Sequence, residues 1–405
     1  MSFIGRYSPP GDKSITHRIL ILSAISKGSC KIEYALKADD TMATLNALKA
    51  MGVEFDVEEN IIVKGVGLKG LKRPKSEIDC KNSATSMRLL AGILVGQDFD
   101  SILIGDKSLS KRPMKRIIEP LTLMGANIKS DDNEHPPLFI NPSEGLHPIE
   151  YELTVPSAQV KSAIMLASLY TGEVSTIFES KESRNHTEMM LDYFYSNDFK
   201  VDEYTVPGDF SSAAFFIAGA RLSKGSELLV ENVGLNPTRI GLLEVLQRMN
   251  ANIDVQDIKL KNNELVGNLL IKHSSLDGTE VYSEEIPTMI DEIPMLAILA
   301  AFANGETIIR DLGELRAKET DRLQAIFSAL DALGVDVRIE EDDLYIKGGK
   351  INPAILNAEG DHRLEMAFEI LKAVSKVDIE IRGGNVSSVS YPDFYKDFNK
   401  IWRTK

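Results

Sequence analysis

A turn at Gly11, followed at once by cationic residues, is the first segment whose residue types could bind an anion. The segment Pro10–Arg18 (PGDKSITHR) presents Lys13, Ser14 and Arg18 at the predicted start of a helix. A helix N-terminus offers free backbone N–H groups and a partial positive charge, and both favour anions. The G-x-x-x-x-G-K spacing of a P-loop is absent. The alternative is an ordinary capped helix start with solvated cations.

The segment Cys80–Arg88 (CKNSATSMR) combines amide and hydroxyl side chains with a following arginine. Asn82, Ser83 and Thr85 favour helix caps and turns, so the backbone amides of this loop could face an oxyanion. A polar helix cap without a ligand is the alternative.

The segment Lys107–Arg116 (KSLSKRPMKR) carries five cations in ten positions of an acidic protein. Pro113 is predicted at the first position of a helix. Arg112 then precedes that helix and is well placed for bidentate contact with a carboxylate or phosphate. The alternative is a solvated charged face.

Hydroxyl and amide donors precede an apolar helix in the segment Val155–Lys161 (VPSAQVK). Ser157 and Gln159 beside a helix N-terminus suit a phosphate, and Arg184 is a candidate partner. His186, two residues further on, is interpreted as a cap or surface residue rather than a metal ligand.

Two carboxylates interrupt an apolar stretch at Thr288–Pro294 (TMIDEIP). Asp291 and Glu292 lead into an apolar helix, where loss of hydration raises the pKa of a carboxyl group unless cations stand nearby. Such an environment is typical of a general base. An Asp N-cap is the competing interpretation.

The segment Arg316–Arg322 (RAKETDR) mixes cations with a carboxylate. Lys318, Glu319 and Arg322 are predicted at the start of a helix, with Lys318 and Arg322 on one face. This cluster could bind an anion while Glu319 moves a proton, and a salt-bridged surface turn is the alternative. The polar triplet Asp361–Arg363 (DHR) opens the final apolar helix.

A recurring element must position these residues. Five times an amphipathic helix ends in Gly or Asn and a short strand follows, at Gly52, Gly125, Asn197, Asn250 and Gly334. Gly and Asn tolerate the left-handed backbone conformation that closes a helix. Five copies favour internal duplication of an α/β motif. Because several helices are apolar all round, we expect helices inside and sheets facing solvent.

The 405 residues exceed the roughly 250–300 at which a single core stops growing, so two domains are expected. Pro9–Gly11 and Thr205–Ser212 (TVPGDFSS) contain the breaks that suit crossings between them. We predict a discontinuous domain from residues 1–12 plus 208–405 and a second domain from residues 13–207.

Composition excludes several classes of protein. The chain has no apolar run of the about 18 residues that a membrane span needs, and no signal or transit segment, so a cytoplasmic location is expected. Cys30 and Cys80 form neither a disulfide framework nor a zinc site, and a catalytic thiol is a minor alternative. The net charge of −14 argues against nucleic-acid binding, but a local positive pocket can still take small anions.

In this order and at these intervals, the seven segments together resemble the 5-enolpyruvylshikimate-3-phosphate synthase family. The resemblance runs from Pro9 to the YPDF segment at Tyr391–Phe394. It implies an α/β (α+β) fold, a two-domain inside-out α/β barrel with three βαβαββ units in each domain. It also implies that the enolpyruvyl group of phosphoenolpyruvate passes to the 5-hydroxyl of shikimate 3-phosphate. Phosphate is released by addition–elimination in an interdomain cleft, on the shikimate pathway to chorismate. Neither metal nor cofactor is implied, and we expect a monomer without nucleic-acid or membrane partners.

The resemblance assigns roles by position. It implies that shikimate 3-phosphate is bound by Lys13, Ser14, Arg18, Ser157, Ala158, Gln159, Arg184, Asp291 and Lys318. It implies that phosphoenolpyruvate is bound by Lys13, Asn82, Ala84, Thr85, Arg112, Gln159, Arg322 and Arg363. Asp291 would be the base on the attacking hydroxyl, Glu319 the acid that protonates C3, and Lys13 would reach both substrates. The 13–207 domain would then carry the half of the site formed by Lys13, Asn82–Arg88, Arg112 and Ser157–Gln159. The discontinuous domain would carry the half formed by Asp291, Lys318–Glu319 and His362–Arg363.

Three segments depart from the family pattern. Lys81 and Ala84 stand where the substrate loop commonly has glycine, and the resemblance links Ala84 to the glyphosate-tolerant class. Ser388–Ser390 stands where a lysine often precedes the YPDF-like segment, so a phosphoenolpyruvate contact is missing or supplied elsewhere. Glu314 replaces a common Asn, which puts that shikimate contact in doubt.

Two alternatives remain open. The related UDP-N-acetylglucosamine enolpyruvyl transferases begin with a Lys–Asn pair and use a cysteine in the loop of Arg112, whereas this chain has Lys13–Ser14 and no cysteine after Cys80. A non-catalytic phospho-metabolite binding protein would not need Asp291 and Glu319 together with the arginines.

Overall fold

The computed structural model describes residues 1–404 of the chain. The strands are β1 (Ser2–Tyr7), β2 (Lys27–Glu33), β3 (Glu54–Val57), β4 (Ile61–Val66), β5 (Ile78–Asp79), β6 (Ser101–Ile104), β7 (Asn127–Lys129), β8 (Leu138–Asn141), β9 (Glu150–Glu152), β10 (Thr176–Phe178), β11 (Glu203–Thr205), β12 (Glu227–Gly234), β13 (Ile253–Lys261), β14 (Glu264–Lys272), β15 (Glu280–Val281), β16 (Glu306–Ile309), β17 (Asp336–Glu340), β18 (Asp343–Lys347), β19 (Ala354–Asn357), β20 (Ile379–Arg382) and β21 (Trp402–Arg403).

The helices alternate with these strands along the chain. They are α1 (Lys13–Ile25), α2 (Asp39–Ala50), α3 (Ala84–Leu94), α4 (Lys115–Leu123), α5 (Ala158–Ser168), α6 (His186–Tyr195), α7 (Phe210–Leu222), α8 (Gly241–Arg248), α9 (Ile286–Met289), α10 (Ile293–Ala301), α11 (Arg322–Ala332), α12 (His362–Ser375) and α13 (Phe394–Ile401). No helix within residues 1–404 is long and apolar enough to cross a membrane.

The chain divides into two compact units. Gly11–Val206 forms one, called here the continuous unit. Met1–Pro10 and the chain from Pro207 onward form the other, called here the split unit. Each unit has its own hydrophobic core. The sequence boundaries of 12/13 and 207/208 lie within two residues of these limits.

Both units repeat one sheet topology. A central strand pairs in parallel with one neighbour and antiparallel with another, which pairs antiparallel with a fourth. The four-stranded sets are β11-β2-β4-β3 and β5-β6-β8-β7 in the continuous unit, and β1-β12-β14-β13 and β15-β16-β18-β17 in the split unit. In the split unit β21 adds to β1 as a fifth strand, and the third sheet of each unit is a parallel pair, β9-β10 or β19-β20. The predicted two-domain α/β fold is confirmed, with the third copy in each unit carrying the shorter sheet.

Buried helices lie behind these sheets. Every residue of α10 is buried, as is every residue of α1 from Ile15 to Ile25. Strands such as β17 instead alternate between exposed and partly buried positions, as expected for a sheet with one face toward solvent. This contrast agrees with the predicted arrangement of helices inside and sheets facing solvent.

Helix termination follows the sequence prediction at four of the five positions. Gly52, Gly125, Asn250 and Gly334 have positive φ angles. The prediction for Asn197 is wrong, because the positive φ angles fall on Asp198 and Phe199 (53° and 55°). Phe199 packs its ring 5.4 Å from that of Phe194, and this tertiary contact offsets the strain of the left-handed backbone.

Candidate active site

Three helices of the continuous unit begin at predicted site residues. Asp12 caps α1 by accepting a hydrogen bond from Ile15 N, and Ser83 caps α3 by accepting one from Ser86 N. Ser157 is the N-cap of α5, and its side chain makes no capping bond. The first turns of all three helices therefore carry hydroxyl, amide or ammonium groups. These groups add to the partial positive charge and free N–H groups of a helix start, so an anion could bind there.

Lys13 is paired with a carboxylate that sequence reasoning missed. Its Nζ lies 2.7 Å from Oδ2 of Asp40, in α2, and the side chains are only 16% and 9% exposed. Asp39 and Asp40 at the start of α2 gave no functional signal in the sequence, because acidic residues are common at helix N-termini. The pair holds the ammonium of Lys13 at a fixed position.

The guanidinium of Arg18 is surrounded by protein acceptors. Its Nε donates to Thr187 at 2.6 Å, Nη2 to Ser162 at 2.8 Å and Nη1 to the Ser14 carbonyl at 2.9 Å. Arg18 is 4% exposed and connects α1 with α5 and α6. These three bonds fix the orientation of the guanidinium relative to α5 and α6.

A hydrogen-bonded chain unites residues from three predicted segments. Arg112 Nη2 donates to Asn82 Oδ1 at 2.8 Å. Gln159 Nε2 donates to Thr85 Oγ1 at 2.9 Å, and its Oε1 accepts from Arg88 Nη1 at 2.6 Å. The loop before α3, the segment before α4 and the start of α5 are thus brought together in one unit.

The helix start assigned to Pro113 is wrong. The N-cap of α4 is Met114, and Pro113 lies before it. The carbonyl of Pro113 accepts a hydrogen bond from Arg88 Nη2 at 2.9 Å, which places this residue in the loop beside Arg112.

The segment carrying Arg184 is fixed by a buried lysine. Lys161 Nζ lies 2.7 Å from Glu179 and 2.6 Å from Glu188, and its side chain is 7% exposed. Sequence reasoning missed this lysine because VPSAQVK was interpreted through Ser157 and Gln159. The interpretation of His186 as a cap or surface residue is wrong, since it is buried in the first turn of α6 and Asn185 is the N-cap.

The split unit gathers a carboxylate and two arginines at the start of α10. Asp291 Oδ1 lies 3.5 Å from Arg322 Nη1, and Oδ2 lies 3.5 Å from Arg363 Nη2. The alternative of an Asp N-cap is wrong for Asp291, because Glu292 occupies the N-cap position of α10. The two guanidinium groups are the nearby cations that oppose the effect of burial and favour the ionised carboxylate.

Arg322 is the centre of a buried ion cluster. Its Nε lies 2.6 Å from Asp361 and its Nη2 lies 2.5 Å from Glu319. Burial acts to lower the pKa of Arg322, but the charges of Asp361, Glu319 and Asp291 outweigh it and raise the pKa above its usual range. Asp361 also caps α12 by accepting from Arg363 N at 2.8 Å.

Lys318 and Glu319 do not lie on a helix, so the predicted shared face of Lys318 and Arg322 is wrong. A 3-10 helix spans Gly313–Ala317, and α11 starts only at Arg322 with Asp321 as its N-cap. The intervening loop leaves Lys318 half-buried beside the carboxylates. Loss of hydration lowers the pKa of Lys318, although the charge of Asp291 opposes this.

The cysteines are poor nucleophiles. Burial raises the pKa of Cys30 to about 11 and raises that of Cys80 further above its usual range. Because the thiolate is the reactive form, both pKa shifts argue against a catalytic thiol. Within residues 1–404, no group of three or more His, Cys, Asp or Glu residues is arranged to hold a metal ion.

Comparisons with known proteins identify the family of the chain. The family model described as EPSP synthase (3-phosphoshikimate 1-carboxyvinyltransferase) matches residues 3–398. The 3-phosphoshikimate 1-carboxyvinyltransferase of Listeria monocytogenes serotype 4a is 41% identical, over 98% of this chain and 97% of the relative. That of Coxiella burnetii (strain CbuK_Q154) is also 41% identical, over 98% of this chain and 94% of the relative.

Solved structures give the same result. The EPSP synthase from Acinetobacter baumannii superimposes with a TM-score of 0.87 at 37% identity, covering 99% of this chain and 96% of that one. The enolpyruvyl transferase NikO from Streptomyces tendae, at 16% identity and a TM-score of 0.78 over 99% of this chain and 95% of that one, shares the fold. The chain therefore belongs to the EPSP synthase family of 3-phosphoshikimate 1-carboxyvinyltransferases, which makes it a transferase.

Proposed function

We propose that the chain transfers the enolpyruvyl group of phosphoenolpyruvate to the 5-hydroxyl of shikimate 3-phosphate, with Asp291 as base and Glu319 as acid. The observation that carries these roles is the position of Asp291, which lies 3.5 Å from each of Arg322 and Arg363. A carboxylate between two guanidinium groups stays ionised and can accept a proton. The same guanidinium groups can bind an anionic substrate.

In the addition step, the hydroxyl oxygen forms a bond to C2 of phosphoenolpyruvate and its proton passes to Asp291. The electron pair of the double bond takes a proton at C3 from Glu319. In the elimination step, the bond between C2 and the phosphate oxygen breaks, C3 returns its proton to Glu319, and the double bond re-forms. The proton that Asp291 took leaves with the phosphate. Charge and atoms balance, and no cofactor enters either step.

The two carboxyl groups have different cationic partners. Glu319 accepts a hydrogen bond from a single nitrogen of Arg322 at 2.5 Å and lies beside Lys318. Asp291 interacts with two arginines, and both carboxyl groups are less than one-fifth exposed. Because ion pairs favour the ionised form of both carboxyl groups, the role of Glu319 as acid rests on the resemblance to the family and requires that Glu319 take up a proton before the addition step.

The continuous unit supplies the anion-binding groups in this proposal. For shikimate 3-phosphate, these are Lys13, Ser14, Arg18, Ser157, Ala158, Gln159 and Arg184, with Asp291 and Lys318 from the split unit. For phosphoenolpyruvate, they are Lys13, Asn82, Ala84, Thr85, Arg112 and Gln159, with Arg322 and Arg363. The fixed ammonium of Lys13 and the Arg112–Asn82 bond support these roles, because both are preorganised for a phosphate or carboxylate.

Weak inhibition by glyphosate is a further part of the proposal. Ala84 is the first residue of α3 and is 6% exposed, so its methyl group occupies space at the helix start where the family commonly has none. A ligand that is larger than phosphoenolpyruvate at this point would meet that methyl group.

The proposed activity is tested by phosphate release from phosphoenolpyruvate, measured with and without shikimate 3-phosphate. We expect release that depends on both substrates and persists after treatment with a chelator. Equal release without shikimate 3-phosphate, or none with it, contradicts the proposal. We also propose a monomeric cytoplasmic enzyme, and light scattering at the assay concentration tests the oligomeric state.

A further inference from the structure

A second layer of charge lies behind Asp291 and Arg363. It consists of Glu292 and Arg239, which are 1% and 3% exposed. Arg239 ends the segment LNPTR (residues 235–239), which has no part in the proposed reaction so far. An unpaired buried charge costs free energy of folding, so both residues must have partners. The partners indicate what these two residues do.

Arg239 is held from several directions. Its Nη1 lies 3.2 Å from Oε1 and 3.4 Å from Oε2 of Glu292, and its Nη2 lies 3.2 Å from Oδ1 of Asp209. Ser211 bridges Arg239 and Glu292, because its hydroxyl accepts a hydrogen bond from Arg239 Nη2 and donates one to Glu292 Oε1. Asp209 is itself the N-cap of α7, so the guanidinium is tied to a helix start.

Glu292 faces Arg363 as well as Arg239. Its Oε1 lies 4.0 Å from Arg363 Nη1. The same Nη1 donates to the backbone carbonyl of Asp291 at 3.3 Å, and Nη2 reaches the Asp291 carboxylate. Glu292 thus shares its negative charge between two guanidinium groups, one fixed in the core and one beside the proposed base.

This geometry has a mechanical consequence. A guanidinium that must meet a substrate carboxylate or phosphate bidentately works only in a narrow range of orientations. Arg363 has a long side chain, and fixing its terminal group requires partners that are themselves rigid. The Arg239–Glu292 pair meets this condition because both members are buried and hydrogen-bonded.

We infer that Glu292 and Arg239 are positioning residues that orient Arg363 for phosphoenolpyruvate. The inference rests on the proposed role of Arg363 in binding that substrate. It predicts a larger effect on phosphoenolpyruvate than on shikimate 3-phosphate. The contacts lead to Arg363, and of the groups assigned to shikimate 3-phosphate Asp291 is the one that Arg363 touches.

The test is Glu292→Gln, which keeps the shape and removes the charge. We expect the KM for phosphoenolpyruvate to rise by about tenfold, the scale on which charged partners act. The KM for shikimate 3-phosphate should stay within about twofold of the wild-type value, and Glu292→Asp should restore part of the loss. A residue with only a structural role would reduce the amount of folded enzyme and leave both KM values unchanged, and that result overturns the inference.

Asp209→Asn is the matched control. It also removes one charge from a buried partner of Arg239, and Asn retains the ability to cap α7. We expect a similar loss of thermal stability but a KM for phosphoenolpyruvate near that of the wild type. Asp209→Asn keeps the Arg239–Glu292 contact. Equal increases in that KM for both variants would show that the loss of any buried charge in this cluster has the same effect whether or not that contact is kept, and would overturn the assigned role of Glu292.

If Glu292→Gln does not fold, Arg239→Lys carries the test, because it keeps the charge and loses the forked geometry. The same rise in KM for phosphoenolpyruvate is expected, and an unchanged value overturns the inference. Failure of the proposed function is a separate result, since wild-type enzyme would then show no release of phosphate that depends on shikimate 3-phosphate.

Discussion

Asp361 Oδ2 lies 2.6 Å from Nε of Arg322, and both side chains are almost completely removed from solvent. The pair joins the start of α12 to the start of α11, and it anchors the guanidinium that also contacts Glu319 and Asp291. Removing one partner of a buried ion pair leaves the other charge uncompensated, at a cost of about 3–5 kcal/mol. Asp361 therefore stabilises the split unit and at the same time holds the proposed acid and base in place.

Asp361→Asn should lower the free energy of unfolding by about 3 kcal/mol, because Asn keeps the helix cap but not the charge. The measurement is the shift in urea midpoint with an unchanged slope. Asp321→Asn is the control, since Asp321 also caps a helix but is paired with the exposed Arg316, and a change below about 1 kcal/mol is expected. Equal shifts for the two variants would show that Arg322 is compensated by its remaining partners.

Asp291→Asn and Glu319→Gln should each fold and lose about 10²–10⁴-fold in kcat, the usual contribution of a positioned acid or base. Phosphate release measures turnover, and circular dichroism checks folding. Glu341→Gln changes an exposed carboxylate in the turn between β17 and β18 and should keep the wild-type rate. Turnover within about threefold of wild type for both site variants would remove these residues from the chemistry.

The fold could be predicted because one local pattern recurs along the chain, a helix that ends near Gly or Asn and is followed by a short strand. Partners distant in sequence were not predictable in the same way. Asp40 meets Lys13 across 27 residues and Asp361 meets Arg322 across 39, and no local pattern encodes either contact. Only the packing of helix starts within each unit brings these groups together.

Local conformation explains the remaining errors. The i,i+4 relation of Lys318 and Arg322 assumed a continuous helix, whereas the 3-10 helix and the following loop place Lys318 in extended backbone. Lys81 adopts a φ angle of 53°, which is normally left to glycine, and its ion pair with Asp79 at 2.6 Å accompanies this conformation. The family's glycine at that position is thus replaced by a residue that keeps the glycine-like backbone.

Ala84→Gly should increase inhibition by glyphosate, because the change removes a methyl group at the start of α3. An inhibition constant lower by about tenfold is expected, which corresponds to about 1.4 kcal/mol of binding energy. The KM for phosphoenolpyruvate should change much less, since the smaller substrate is bound in both forms. The measurement is competition by glyphosate against phosphoenolpyruvate.

Ala91→Gly is the matched control for that experiment. Ala91 lies in the same helix and is fully buried, so the same change costs helix stability by about 0.5–1 kcal/mol without altering the helix start. Inhibition should match that of the wild type. If glyphosate already inhibits the wild type as strongly as Ala84→Gly, the methyl group does not limit access.

Lys318 should set the alkaline limit of activity. Loss of hydration lowers the pKa of Lys318 below its ordinary value of 10.5, and the charge of Asp291 offsets this only in part. As the pH rises through the lowered pKa, the ammonium loses its proton and its attraction for anionic substrates and for the nearby carboxylates. We therefore expect kcat/KM for shikimate 3-phosphate, the substrate to which Lys318 is assigned, to fall at a pH below that at which a free lysine titrates.

Stability should respond in the opposite direction in the same pH range. Between the lowered pKa and about 10.5, the unfolded chain binds a proton at Lys318 that the folded protein does not, so the contribution of Lys318 to stability increases with pH. Lys318→Arg keeps a cation whose pKa is above about 12 and should move the alkaline limit of kcat/KM to higher pH, even if its absolute rate is lower. Normalised pH profiles of both enzymes measure this shift. An identical alkaline limit in the two profiles would assign that limit to a group other than Lys318.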